Sequence, residues 1–163
     1  SLTTRVALLK GLDYNKVKEI CRELPPMNGS EDVIKGLKDA GYTIVCFSGG
    51  FRDATTPFSQ RVGIDADFSN VLHNKNGVLT GEVGGDMMFG FSKGDMIQRI
   101  QSLLNISKEN SLVVGDGAND LSMFAYADKR VAFCAKDILK KEANIIIDKK
   151  DLREILNHKE LLC

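Results

Sequence analysis

The stretch Leu112-Val113-Val114-Gly115-Asp116-Gly117-Ala118-Asn119-Asp120 decides how this chain is read. An apolar run ends in an acidic, glycine-rich turn, and Leu121-Ser122-Met123-Phe124 then continues at helical spacing. That pattern is a buried strand whose carboxyl end presents two carboxylates and an amide, followed by a helix. In open α/β sheets ligands bind outside the carboxyl ends of the strands. Gly115 and Gly117 allow a sharp turn and a close approach of the backbone to a ligand. Asp116 and Asp120 are hard oxygen ligands of the kind that hold Mg²⁺ beside a phosphate. A helix N-cap at Asn119 or Asp120 accounts for part of the pattern. Two acids, two glycines and an amide within six residues exceed what a cap requires.

Outward from this stretch, helices alternate with short apolar strands. Upstream, residues 5–11 read as the end of a helix stopped by Gly11. Asp13 caps a second helix with Val17, Ile20, Cys21 and Leu24 at helical spacing, and Pro25-Pro26 ends it. Asn28-Gly29-Ser30 starts a third helix, with Val33, Ile34 and Leu37 on one face and Gly41 past its end. Residues 43–47 form a continuous β-prone run of the fully buried, parallel-sheet type, leading into a Ser48-Gly49-Gly50 turn. A helix over 52–62 and a hairpin over 68–80 turning at Lys75-Asn76-Gly77 follow. Residues 81–90, rich in glycine and methionine, read as irregular. An amphipathic helix opens at Ser92-Lys93-Gly94-Asp95 and carries Met96, Ile97, Ile100, Leu103 and Leu104. After the central stretch come strands at 131–133 and 145–147, a short helix near Ile138-Leu139 and a helix from Asp151. This alternation predicts a parallel α/β sheet.

Composition excludes several classes. The 163 residues carry 22 basic and 22 acidic side chains, for zero formal net charge. No basic block marks a nucleic-acid or membrane footprint. The apolar runs fall far short of a membrane span. Four scattered cysteines form no disulfide framework and no zinc pattern, which predicts a reducing, cytoplasmic setting. Cys46 and Cys134 read as core residues, Cys21 as part of a helical face and Cys163 as an exposed terminal thiol. His73 and His158 read as surface residues.

Three separated pieces carry the chemistry. Ser48-Gly49-Gly50 offers a hydroxyl and free backbone N–H groups, suited to an oxyanion, although such a turn is by itself an ordinary loop. Lys93 stands at a helix start, against the preference of the helix dipole, so it either serves an anion or is merely solvated. Asp116, Asn119 and Asp120 form the acidic end. Hydroxyl, lysine and metal-binding acid around one phosphate are the parts phosphoryl transfer needs.

Those pieces resemble the second, third and fourth motifs of the haloacid dehalogenase-like hydrolases. The likeness is closer to one branch, the bacterial and archaeal phosphoserine phosphatases. It extends through residues 45–51, 113–124, 132–136 and 151–156, and through 1–9 at the start. The resemblance implies an α/β fold with a Rossmann-like parallel sheet flanked by helices and a β-hairpin insertion. It also implies a partial helical cap over residues 1–27 and a core over 28–163. The implied activity is Mg²⁺-dependent hydrolysis of O-phosphoserine to L-serine and phosphate through an aspartyl-phosphate. On this likeness Ser48 and Gly49 hold the phosphate, and catalytic Lys93 neutralises it and stabilises the intermediate. Asp116 ligates Mg²⁺, Asp120 supports the metal and its waters, and Asn119 helps bind the phosphate end. Arg5 pairs with the substrate carboxylate, a task suited to a guanidinium fork.

One family element has no match here. The first motif is an apolar strand followed by Asp-x-Asp, whose first Asp is the nucleophile and whose second is the general acid and base. The Asp65-Ala66-Asp67 triplet follows Gln60-Arg61-Val62-Gly63 rather than an apolar strand and matches an ordinary connection. A truncated chain is therefore expected, inactive alone and weak in binding Mg²⁺. A central strand would be missing between residues 43–47 and 112–114, a place open to an N-terminal fragment or to self-association. The alternative function is a non-catalytic remnant that binds Mg²⁺ and phosphate or a phosphorylated ligand. A P-type ATPase phosphorylation domain shares Gly-Asp-Gly-x-Asn-Asp but lacks the Ser-Gly-Gly turn.

Overall fold

The computed structural model describes residues 1–162, so Cys163 lies outside the described residues. The fold is α/β, with parallel strand pairing flanked by helices, and its strands form two three-stranded sheets. The chain packs as two compact units, one of Ser1–Pro26 with Thr43–Met88, the other of Met27–Tyr42 with the chain from Phe89.

In the first unit, β1 (Val45–Phe51) pairs parallel with β2 (Ala66–Lys75), which pairs antiparallel with β3 (Val78–Gly85). The hairpin turns at Asn76 and Gly77, both at positive φ (52° and 77°), as a two-residue loop between twisted strands requires. Helix α1 (Leu2–Ala7) and helix α2 (Tyr14–Glu23) are fastened to this hairpin. Gly11 N–H donates to the Leu79 carbonyl at 2.8 Å, and Leu79 N–H donates to the Leu12 carbonyl at 2.9 Å. Val6, Leu72 and Leu79 are buried together, with Leu9, Tyr14 and Val17 packed against them. Asp13 caps α2 as expected, its carboxylate accepting from Asn15 N–H at 2.8 Å. Helix α4 (Arg52–Val62) starts directly from β1 and ends at Gly63 in the left-handed region. In chain order it follows α3 (Ser30–Asp39), which belongs to the second unit.

In the second unit, β4 (Leu112–Gly115), β5 (Lys129–Phe133) and β6 (Ile145–Ile147) run parallel in that order. Helix α5 (Ser92–Leu104) precedes β4, α6 (Leu121–Phe124) lies between β4 and β5, and α7 (Asp137–Lys140) lies between β5 and β6. Val113, Val131, Phe133, Ile147 and Leu139 are buried. Helix α3 packs on a 3-10 segment, Leu152–Asn157, where Asp151 serves as N-cap. Gly29, at φ 77°, lies so close to Asp151 that a Cβ there would sit 2.5 Å from its carboxylate.

Several expectations are corrected. Residues 48–50 are not a free turn, because the strand continues through them with a bulge. Glycine reads as a turn in sequence, yet it also marks bulges. The same bias hid residues 81–85, which belong to β3 rather than to an irregular stretch. The run 45–47 is half-buried rather than fully buried, because β1 pairs only with β2 and is an edge strand. Likewise β4 pairs only with β5. The strands thus form two sheets of three, and β1 and β4, the two strands expected to lack a neighbour, each end one of them. Ile20 on α2 is 62% exposed, and Leu103 in the last turn of α5 is 84% exposed, so their helical spacing does not mark core. The helix expected from Asp151 is a 3-10 segment.

Candidate active site

Strand β4 delivers the acidic loop, and α5 delivers the lysine. A short 3-10 turn, Ala118–Asp120, follows the loop and places Asp120 inward, 1% exposed. One carboxylate oxygen of Asp120 accepts from Asp116 N–H at 2.8 Å and from Gly117 N–H at 3.0 Å. The other meets the Lys93 ammonium at 2.5 Å. A buried carboxylate is tolerable only when paired and hydrogen-bonded, and here both oxygens are engaged. Two glycines make the room. A Cβ on Gly115 would sit 2.6 Å from the Asp120 carboxylate, and a Cβ on Gly94 would sit 2.6 Å from the Ser122 carbonyl oxygen. Gly94 N–H donates to Ser122 Oγ at 3.1 Å, holding the start of α5 against α6.

This arrangement reassigns two expectations. Lys93 is not solvated, since its side chain is 12% exposed, and the anion it faces within the chain is Asp120. Asp120 stands at the N-cap position of α6, as one expectation had it, but its carboxylate makes no cap bond to that helix and instead fixes the loop amides and the lysine. Asp116 and Asn119 are exposed, and the Asp116 carboxylate forms no ion pair among the described residues. The Asp116 carbonyl accepts from Lys136 N–H at 3.0 Å, which ties the acidic loop to the turn after β5.

Ser48, Gly49 and Arg5 belong to the first unit. Ser48 Oγ accepts from Gly50 N–H at 3.0 Å, which leaves its proton available to an acceptor. Gly49 is exposed, and a Cβ there would meet nothing within 4 Å, so the space beside it is open. Arg5 is exposed in the last turn of α1, where the helix dipole favours a cation. Its neighbour Val6 is the buried anchor of that helix. The structure therefore gathers Lys93, Asp116, Asn119 and Asp120 in one unit and carries Ser48, Gly49 and Arg5 on the other.

The Asp65 and Asp67 pair has structural employment. Asp65 accepts from Ile44 N–H at 2.7 Å, and Asp67 accepts from the Thr55 and Thr56 hydroxyls at 2.9 and 2.8 Å. His73 is exposed, as expected, but on β2 rather than in a turn, and its Nδ1 lies 2.8 Å from Thr80 Oγ1. Cys134 is a correction: it is exposed, at φ 45°, where the chain leaves β5, while Cys46 is only half-buried. Asn70 was missed by sequence reasoning altogether. Its signal was faint, a single amide inside a β-prone run, yet it is fully buried and hydrogen-bonded to Gly49.

No group of three or more His, Cys, Asp or Glu side chains gathers among the described residues. The free carboxylate of Asp116 fits a Mg²⁺ ion of the kind that takes one or two carboxylates and completes its shell with phosphate oxygens and water. No described helix is long and apolar enough to cross a membrane.

Known proteins resemble this chain in sequence and fold. The family model for haloacid dehalogenase-like hydrolases matches residues 2–128. A phosphoserine phosphatase of Wolinella succinogenes is 60% identical over 97% of this chain and 77% of its own length. One from Methanocaldococcus jannaschii is 44% identical over 97% of this chain and 75% of its own. A crystal structure of a phosphoserine phosphatase in apo form superposes with a TM-score of 0.93 at 44% identity, covering 97% of this chain and 79% of that one. A substrate-bound phosphoserine phosphatase complex superposes with a TM-score of 0.91, covering 96% and 75%. On these grounds the chain belongs to the haloacid dehalogenase-like hydrolases, within their phosphoserine phosphatase family.

Proposed function

We propose that this chain carries the phosphate-handling part of a phosphoserine phosphatase that hydrolyses O-phosphoserine to L-serine and phosphate. The observation that carries the reading is the Asp120 carboxylate, which holds the Lys93 ammonium and the Asp116 loop together. That contact fixes a cation beside an outward-facing acid, the electrostatics a transferring phosphoryl group requires. The relatives named above support the choice of phosphoserine.

In this reading the Ser48 hydroxyl and the Gly49 backbone hold the phosphate, Lys93 offsets its charge, and Asn119 helps bind the phosphate end. Asp116 would ligate Mg²⁺, with Asp120 supporting it. When bound, the ion neutralises phosphate charge and helps order the site. Arg5 receives the substrate carboxylate from a cap formed by residues 1–27 over a core of 28–163. A carboxylate attacks phosphorus, the serine oxygen leaves with a proton, and water then cleaves the acyl phosphate. The family's Asp-x-Asp motif matches no free segment here, and we place the nucleophile and the general acid and base outside these 163 residues. An N-terminal segment, or a second copy, would supply the missing strand. The compartment is the cytoplasm. The second reading, a chain that binds Mg²⁺ and phosphate without turnover, is favoured by the structural engagement of Asp65 and Asp67.

Substrate choice is tested at Arg5. In the active protein, Arg5→Ala should raise KM for phosphoserine at least tenfold while barely changing KM for phosphoethanolamine, which has no carboxylate. Equal effects on both substrates would remove Arg5 from carboxylate recognition.

A further inference from the structure

Between Phe47, paired with Phe68, and Phe51, paired with Asn70, strand β1 spends three residues against one of β2. Ser48, Gly49 and Gly50 therefore bulge out of the ladder, and a bulge leaves peptide groups without ladder partners. Asn70 supplies one. Its side chain is completely buried, and its amide nitrogen donates to the Gly49 carbonyl at 3.2 Å. The same nitrogen donates to the Met87 carbonyl at 3.2 Å, and its oxygen accepts from Met87 N–H at 3.0 Å. Both amide protons and the oxygen are thus engaged, as burial of an amide requires. Its register partner on β3 is Gly85, at φ 133°. A Cβ at Gly85 would sit 2.7 Å from Asn70 Cα and 3.1 Å from its side-chain oxygen, so the opposing strand is cut away where Asn70 lies.

The consequence runs through one peptide plane. In a trans peptide the carbonyl and the following N–H point in opposite directions. Holding the Gly49 carbonyl toward Asn70 therefore aims Gly50 N–H the other way, where it donates to Ser48 Oγ. With a lone pair of that hydroxyl occupied, its proton is left to donate outward. The geometry points to Asn70 as the positioning residue of the phosphate-holding bulge: it sets the Gly49–Gly50 peptide and, through Gly50 N–H, the donor direction of Ser48. This inference rests on the proposed role of Ser48 and Gly49 in holding phosphate.

The test uses the full chain, ¹⁵N-labelled, with Asn70→Ala compared with wild type and with Val71→Ala, an apolar change at an exposed position of the same strand. In Asn70→Ala, hydrogen exchange at Gly50 N–H should accelerate at least tenfold, and the affinity for inorganic phosphate, read at the Ser48 and Gly49 amides, should fall at least tenfold. Val71→Ala should change neither. Unchanged Gly50 exchange in a folded Asn70→Ala protein, or equal effects of the two substitutions, would overturn the assignment. A wild-type chain that binds no phosphate would instead count against the functional reading, while the exchange comparison still decides the role of Asn70. Should Asn70→Ala not fold, the wild-type side-chain amide decides the matter. Slow exchange with hydrogen-bond couplings to the Gly49 and Met87 carbonyls is expected, and a freely exchanging amide would refute it.

Discussion

Asp120 joins the parts of the acidic end. It accepts from two backbone amides and from Lys93, and it is almost fully buried. Removing one partner of a buried, hydrogen-bonded pair costs about 3–5 kcal/mol, because the remaining group is left unpaired. Asp120→Ala strands a lysine and two amides, whereas Lys93→Ala leaves Asp120 with two donors. Urea denaturation should therefore show a loss of about 3–5 kcal/mol for Asp120→Ala and a distinctly smaller loss for Lys93→Ala. Equal losses would mean that the amides contribute little. The acidic loop itself was legible in the sequence. What was not legible was the division of labour within it, because Asp116 and Asp120 are the same residue type in the same turn. Only the space beside Gly115, and the arrival of Lys93 from a helix 27 positions upstream, distinguish them.

A strong side-chain hydrogen bond joins helix α2 to α4. The Tyr14 hydroxyl donates to the Asp53 carboxylate at 2.6 Å, in the first turn of the helix that follows the Ser48 bulge. That bond, with some burial and the negative charge of Asp53, pushes the Tyr14 phenol from 10.0 up to about 12. The folded state thus keeps a proton that the unfolded state releases first. The contribution is fully present below pH 10 and is lost as pH rises toward 12. The stability difference between wild type and Tyr14→Phe should be constant up to about pH 10 and shrink above it. A pH-independent difference would mean that the bond does not govern the docking of α2. Helix and strand positions were mostly legible, since apolar spacing and turn residues set α4 and the β2–β3 turn. The errors fell where glycine serves a bulge or a strand, at 48–50 and 81–85. They also fell where an apolar residue on a helix has no partner, as at Ile20 and Leu103.

At the scale of the molecule, two sheets of three strands each present an edge strand, β1 with the Ser48 bulge and β4 with the acidic loop. Edges that are left bare invite a further strand. Alternating helices and strands foretold the α/β class. Periodicity alone could not foretell two sheets, because it reports which face is buried and not which strand lies alongside; the expected bare edges at 43–47 and 112–114 came from the family resemblance instead. The chain spans about three quarters of the length of its relatives in Wolinella succinogenes and Methanocaldococcus jannaschii. The most direct test joins the N-terminal segment of the Wolinella succinogenes relative to these 163 residues and measures Mg²⁺-dependent phosphate release from O-phosphoserine. The account predicts turnover by the joined protein and none by the 163-residue chain alone. Turnover by the chain alone, or a folded joined protein without activity, would contradict it.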